Sequence, residues 1–292
     1  MTQLQKRWLV AIVGIPTVLG LTYMGGWFMA VPLAGFAGLG AHELFRMAAH
    51  RNVYALKVIG CPAAISLVLL AGWRTSYSTF APWALGLLAG VLMVSLVSAL
   101  VLRGCDRSPL ADVAVTVFGA VYIGLSLAFF PLLHALPAAR GWDMGASPAA
   151  AGLLAVMLPL AATWIGDSAA LFAGTAWGKK KLAPSISPNK SWVGFWAALI
   201  GAAIAALGWN AVVRSFVPGL SANVFVILGA GVLLGIAAVV GDLVESLLKR
   251  EAGVKDSGVF FPGHGGVLDR LDSLIFTVPT AYLVLAVFGS AG

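Results

Sequence analysis

Long apolar stretches separated by short polar segments run along the whole chain. Their approximate bounds are 8–24, 27–46, 56–72, 82–102, 111–136, 149–174, 191–213, 223–249 and 268–289. Most contain about 20 residues, the length that an α-helix needs to cross the hydrocarbon core of a bilayer. The pattern predicts an all-α, polytopic integral membrane protein with about nine transmembrane helices. Only Gly25 and Gly26 separate the first two stretches, which leaves counts of eight and ten open.

The composition supports a membrane protein and excludes an ordinary soluble domain. Of the 292 residues, 60% are hydrophobic and 10% are charged, and the mean hydropathy is +0.97. Soluble domains carry about 25% charged residues. The net charge of +7 does not indicate a nucleic-acid partner, because the basic residues lie in the segments between apolar stretches. Cys61 and Cys105 show neither zinc-ligand spacing nor a disulfide framework.

The distribution of basic residues predicts the orientation of these helices. With the N-terminus inside, fifteen of the 18 Lys and Arg residues fall in the inside segments, and only Arg74, Arg140 and Arg214 fall outside. This bias is the one that cytoplasmic loops show. We therefore expect an integral protein of the bacterial inner (cytoplasmic) membrane, with its basic loops facing the cytoplasm.

Acidic residues are concentrated in the later apolar stretches. Asp167, Asp242 and Glu245 lie within predicted helices, and Asp269 and Asp272 open the last one. An ionised carboxylate at such depth is costly unless it is paired or binds a cation. Three carboxylates from three helices could hold Mg²⁺, which prefers oxygen ligands. The alternatives are hydrogen bonds between helices, pairing with Lys, and charge compensation at a helix N-terminus.

Two predicted cytoplasmic segments carry groups suited to phosphate. In the first, Lys179, Lys180 and Lys181 could be a topology signal alone, but the hydroxyls of Ser187 and Ser191 and the ammonium of Lys190 follow, just before a helix. In the second, the glycines around His264 permit a tight turn of the backbone against phosphates. An isolated His is more often structural, but its flanking glycines and the nearby carboxylates favour a functional role.

The uneven distribution of polar groups suggests a division by role. Residues 1–148 are predicted to form a transmembrane scaffold, and residues 149–292 a catalytic transmembrane half with two basic cytoplasmic loops. Groups for phosphate, carboxylates for a metal and a membrane environment together indicate phosphoryl or nucleotidyl transfer to a lipid.

Two segments resemble a known family. The sequence SLLKREAGVKDSGVFFPGHGGVLDRLD, from Ser246 to Asp272, closely resembles the signature of CDP-diacylglycerol synthases (phosphatidate cytidylyltransferases). The sequence KLAPSISPNKSW, from Lys181 to Trp192, is similar to a cytoplasmic loop of that family. The resemblance implies Mg²⁺-dependent transfer of a cytidylyl group from CTP to phosphatidate in phospholipid biosynthesis. The chain departs from the family pattern at Gly166–Leu171, although Asp167 is kept.

The residue assignments follow from the resemblance and from the constellation above. The expected metal ligands are Asp242, Asp269 and Asp167. The expected catalytic residues are Asp167, Lys249, Arg250, Lys255, Asp256, His264, Arg270 and Asp272. The expected substrate-binding residues are Ser187, Lys190, Ser191, Ser246, Gly263, Gly265 and Gly266. The expected partners are CTP, phosphatidate and membrane lipid, with a second cation and a homodimer left open.

The chemistry needs no general base. A phosphate monoester has a second pKa of about 6, so phosphatidate is already largely ionised at neutral pH. Its oxygen can attack the α-phosphorus of CTP directly. The alternative enzymes are a CTP-dependent polyprenol or dolichol kinase and an archaeal-lipid cytidylyltransferase. A transporter is disfavoured because the outer parts of the helices carry no matching polar residues.

Overall fold

The computed structural model describes residues 14, 16–104, 108–142, 145, 147–260 and 265–288, and most of them are helical. Residues 16–24 are helical and precede the labelled elements. The labelled elements are α1 Gly26–Ala49, α2 Lys57–Trp73, α3 Tyr77–Leu102, α4 Pro109–Gly119, a π-helix Ala120–Leu125, α5 Ser126–Ala139, α6 Pro148–Trp177, β1 Lys181–Ala183, β2 Ser187–Ser191, α7 Trp192–Phe216, a 3₁₀ turn Pro218–Leu220, α8 Val224–Glu251, α9 Leu268–Leu271 and α10 Leu274–Phe288.

The helices confirm the predicted all-α membrane protein. In the part of the chain described, seven helical segments are long and apolar enough to cross a bilayer, and α2 is an apolar helix of 17 residues. Many large side chains along these helices, such as Leu100, Val101 and Phe225, are more than two-thirds exposed, as lipid-facing residues are. Residues 8–13 and 15 of the first predicted stretch, 8–24, lie outside the described residues, so the count of nine remains approximate.

The chain divides into two compact units by packing. The first contains residues Met1–Leu132 and Leu248–Leu271, and the second contains Leu133–Leu247 and Asp272–Gly292. The signature segment after residue 247 therefore packs with helices of the N-terminal half. The predicted split at residue 148 concerns role rather than packing, and it stays a prediction.

Small residues bring the helices of the first unit together. The fully buried ring of Phe45 on α1 lies against Gly60 of α2 and Gly119 of α4; a Cβ at these glycines would lie 2.5 and 2.4 Å from ring atoms. At the π-helix, Gly124 packs on the backbone of Ala64, where a Cβ would lie 2.5 Å from Cα. Such contacts allow close packing where lipid supplies no hydrophobic driving force between helices.

The second unit centres on the pairing of α6 with α7. Gly166 on α6 faces the Ala198 carbonyl of α7, and Gly201 faces the Ile165 carbonyl. Helix α8 approaches α7 through Gly231 and Gly235. Helix α10 packs on α6, where the buried hydroxyls of Thr163 and Thr277 lie 3.3 Å apart. These helices hold Asp167 and Asp242 on a closely packed framework.

One element was missed by the sequence patterns. Residues expected to form a loop contain the antiparallel hairpin β1–β2, with Lys181 opposite Ser191, Ala183 opposite Ser187 and an irregularity between the two pairs. Its strands lack alternating apolar residues, and their Pro, Ser and Asn residues are typical of turns. The hairpin fixes the position from which β2 leads into α7.

Candidate active site

In the first unit, the signature segment surrounds the carboxylate of Asp269 with donors. One oxygen, Oδ1, accepts a hydrogen bond of 2.6 Å from Lys249 Nζ, and both side chains are largely buried. The other, Oδ2, accepts from the Ser257 N–H and hydroxyl at 2.9 Å and from the Gly266 N–H at 2.8 Å. The structure thus brings together four residues of the signature, and it fixes Asp269 in one orientation.

Gly265 and Gly266 of the signature lie so close to carboxylate groups that a side chain at either position would clash. Gly265 has φ +81°, a conformation that favours glycine, and a Cβ there would lie 2.5 Å from Asp269 Oδ2. At Gly266 a Cβ would lie 2.3 Å from the Ser257 hydroxyl and 2.4 Å from Glu43 Oε2. Both glycines therefore allow the main chain to approach a carboxylate.

Glu43 of α1 is a member of this cluster that sequence reasoning did not assign to the site. It is 6% exposed. Its Oε1 accepts from the Val267 N–H at 3.0 Å, and its Oε2 accepts from the Leu268 N–H and the Ser257 hydroxyl, each at 2.9 Å. The available signal was an acid, next to His42, within a mostly apolar predicted helix of the N-terminal half.

A pocket of about 300 Å³ lies beside this cluster in the first unit. Arg46 of α1 and His50, the residue directly after α1, line one side, and Lys255 and Asp256 line it from the signature segment. Its three basic side chains against one acid make it a candidate for phosphate oxygens. The sequence analysis named Lys255 and Asp256 but missed Arg46 and His50, which follow Glu43 at helical spacings of three and seven residues.

In the second unit, Asp242 of α8 pairs with Lys190 of β2. The distance from Lys190 Nζ to Asp242 Oδ2 is 2.7 Å, and both side chains are part-exposed. Ser246, one turn further along α8, donates its hydroxyl to Asp242 Oδ1 at 3.2 Å. Asp167 of α6 is close enough to interact electrostatically with both Asp242 and Lys190. Two carboxylates and a lysine from three elements are therefore grouped here.

The glycine before each of these aspartates lies at a contact between helices. Gly166 faces α7, as described above, and a Cβ at Gly241 would lie 2.6 Å from the Asp272 carbonyl oxygen. At Gly166 the close approach is to α7, and at Gly241 it is to the turn that precedes α10. This packing fixes the position of each carboxylate relative to the neighbouring helix.

The remaining predicted residues have varied surroundings. Ser191 is 3% exposed, and its hydroxyl caps α7 by accepting from the Gly194 N–H at 3.1 Å. Ser187 is the first residue of β2 and is half-buried. The Asp272 carboxylate accepts a hydrogen bond from the Ser273 N–H. Arg270 and Arg250 are exposed, and Arg250 donates to the Val254 carbonyl. Gly263 and His264 lie outside the described residues.

Asp167, Asp242 and Lys190 of the second unit include the oxygen ligands that a hard cation prefers. Asp167 and Asp242 supply carboxylates, and the Lys190 ammonium already contacts one of them as a positive charge. In the described ranges no three His, Cys, Asp or Glu side chains gather as a ready-made metal site. Any cation there would therefore need ligands from its substrate or from water, as Mg²⁺ commonly does.

Comparison with known proteins agrees with these features. The sequence profile of the cytidylyltransferase family matches residues 5–288. A phosphatidate cytidylyltransferase of Bacillus subtilis is 30% identical over 296 residues, covering 99% of this chain and 100% of the relative. Proteins of the same name are 33% identical in Pseudomonas aeruginosa, over 94% of both chains, and 34% identical in Brucella suis, over 99% of this chain and 95% of the relative.

Proposed function

Because the chain belongs to the cytidylyltransferase family, we propose that it transfers the cytidylyl group of CTP to phosphatidate, which yields CDP-diacylglycerol and pyrophosphate. The observation that carries this proposal is similarity along almost the whole chain to proteins named phosphatidate cytidylyltransferase. The membrane-spanning helices agree with a lipid substrate. The resemblance seen in the signature segment thus extends to the N-terminal half.

The reaction we propose is a direct displacement at phosphorus. A phosphate oxygen of phosphatidate forms a bond to the α-phosphorus of CTP, and the bond from that phosphorus to the bridging oxygen breaks. Pyrophosphate leaves with the electron pair. The chain's task is to bind and orient phosphates with cations, for which Lys190, Lys255 and Arg270 are part-exposed or exposed candidates. Lys249 and Arg250 stay predicted phosphate contacts.

We further propose that Asp167 and Asp242 hold Mg²⁺. When bound, the ion would neutralise phosphate oxygens and make the α-phosphorus more electrophilic. The support is the grouping of the two carboxylates in one unit and the cation that already contacts Asp242. Asp269 as a further ligand, a second cation and a homodimer stay predictions.

Labelled CTP separates this reaction from that of a lipid kinase. Purified protein in detergent is expected to move the α-phosphorus label of CTP into lipid extracts when phosphatidate is present, and to release the γ label as pyrophosphate. The control omits phosphatidate, and a second reaction offers a polyprenol as acceptor. If the γ label enters the lipid, the protein is a kinase and the proposed function is wrong.

The orientation in the inner membrane is a proposal with its own test. We expect Ser185→Cys and Val259→Cys, in a Cys61→Ser and Cys105→Ser background, to react in sealed cells only with a permeable thiol reagent. Both positions are exposed, whereas Ser257 is buried and unsuitable. The control Thr75→Cys lies on the predicted outer side and should react with an impermeant reagent. Labelling of Ser185→Cys by the impermeant reagent contradicts a cytoplasmic site.

A further inference from the structure

The side chain of Glu43 connects the signature segment to the N-terminal half. This carboxylate lies on α1, a helix of 24 residues, and is buried within the first unit. It accepts hydrogen bonds from three donors of the signature segment: the N–H groups of Val267 and Leu268 and the hydroxyl of Ser257. A buried carboxylate with three donors is fixed in place, because any rotation would leave charge and donors unsatisfied.

The hydroxyl of Ser257 connects Glu43 to Asp269. Its oxygen lies 2.9 Å from Glu43 Oε2 and 2.9 Å from Asp269 Oδ2. A hydroxyl has a single proton, so it can donate fully to only one of the two carboxylates at a time. The orientation of Asp269 therefore depends on how Glu43 holds this hydroxyl and the adjacent backbone.

Two glycines of the signature segment allow it to pack closely on Glu43. Besides Gly266, Gly258 also packs on Glu43, where a Cβ would lie 2.2 Å from Oε1. A side chain at either glycine would push the segment away from α1. The signature segment thus has the shape that fits this one carboxylate.

We infer that Glu43 is a positioning residue for the proposed reaction: from α1 it holds Ser257, Val267 and Leu268 and, through Ser257, the carboxylate of Asp269. The inference rests on the proposed function, since Asp269 is one of its assigned residues. It assigns to the N-terminal half a task beyond that of a scaffold. Glu43 itself touches no reacting atom.

Glu43→Gln is the variant that tests this. An amide has the shape of the carboxylate but accepts with one oxygen only, so its NH₂ group must face at least one of the three donors. The loss of a hydrogen bond to a charged acceptor loosens the hold on Ser257 and Asp269, so we expect kcat per folded protein to fall by about 10-fold to 100-fold. The KM values for CTP and phosphatidate should change far less than kcat.

Amide hydrogen exchange provides a readout that does not depend on activity. In Glu43→Gln, exchange at Val267 or at Leu268 should rise, because the N–H group that faces the new NH₂ group loses its acceptor. The matched control is Asp112→Asn in the same unit. Asp112 is 1% exposed, accepts from the Tyr54 N–H at 2.6 Å and pairs with Arg103 at 3.2 Å. The Asp112→Asn variant should be less stable and less protected from hydrogen exchange at Tyr54, yet keep kcat per folded protein within about threefold of wild type.

The outcomes separate the two proposals. A wild-type protein without cytidylyltransferase activity refutes the proposed function, and the exchange data still report whether Glu43 holds the segment. If Glu43→Gln keeps the wild-type kcat, or leaves exchange at 267 and 268 unchanged, the positioning role is refuted. Should Glu43→Gln fail to fold, Ser257→Ala removes a single donor and is expected to lower kcat with little change in either KM; an unchanged kcat there also refutes the role.

Discussion

Asp269→Asn is expected to abolish turnover of CTP and phosphatidate for practical purposes, with a loss of at least about 100-fold in kcat. The side chain is 6% exposed, and its two oxygens accept from Lys249, from Ser257 twice and from Gly266. An asparagine amide cannot accept on both sides, so its NH₂ group faces either the ammonium or the backbone donors. Removal of one partner of a buried ion pair costs about 3–5 kcal/mol of stability, so the thermal midpoint should fall as well.

The measurement is kcat normalised to folded protein, with the folded fraction taken from size exclusion and thermal unfolding. The matched control is Glu251→Gln, which removes an exposed carboxylate from the end of α8 in the same unit. A surface change of this kind alters stability by about 0.5 kcal/mol or less, and activity should stay within about twofold. An Asp269→Asn protein with near-normal kcat contradicts the role of this carboxylate.

The membrane fold was predictable because its signals are long. Apolar stretches of about 20 residues and the bias of Lys and Arg between loops need no knowledge of packing. Helix boundaries were less predictable, since they depend on local caps: α3 begins at Tyr77 rather than residue 82 because the Ser76 hydroxyl accepts from the Thr79 N–H. The hairpin β1–β2 depends on main-chain pairing, which Ser-Pro-Asn composition does not reveal.

The site was predictable only where spacing along one helix or a known signature defined it. Asp242 and Ser246 are four residues apart on α8, a spacing that places both on one face of a helix, and the structure shows the two side chains in contact. The pairing of Lys190 with Asp242, separated by about 50 residues of sequence, has no periodic signal. Glu43 contacts residues more than 200 positions away. A single sequence does not reveal which distant segment will meet a buried acid.

The second large effect concerns Lys190 and Asp242. We expect Asp242→Asn to abolish turnover and Lys190→Gln to reduce it by about 10-fold or more, because each charge is proposed to act on a ligand. Both side chains are part-exposed, so their mutual attraction contributes only about 0–1 kcal/mol to stability. Folding should therefore change little in either variant. Lys181→Ala on neighbouring β1 is the control, and it should be mild because Lys179 and Lys180 stand beside it.

An exchange of the two charges decides between a ligand-binding group and a structural ion pair. If the 2.7 Å contact only ties β2 to α8, then Lys190→Asp combined with Asp242→Lys should restore the contact and with it the activity. If Asp242 holds Mg²⁺ and Lys190 binds phosphate, the double variant places a cation where the metal belongs and an anion against phosphate. It should then fold normally and remain as inactive as Asp242→Asn alone. Recovery of turnover to within a few-fold of wild type would refute the proposed roles of both residues.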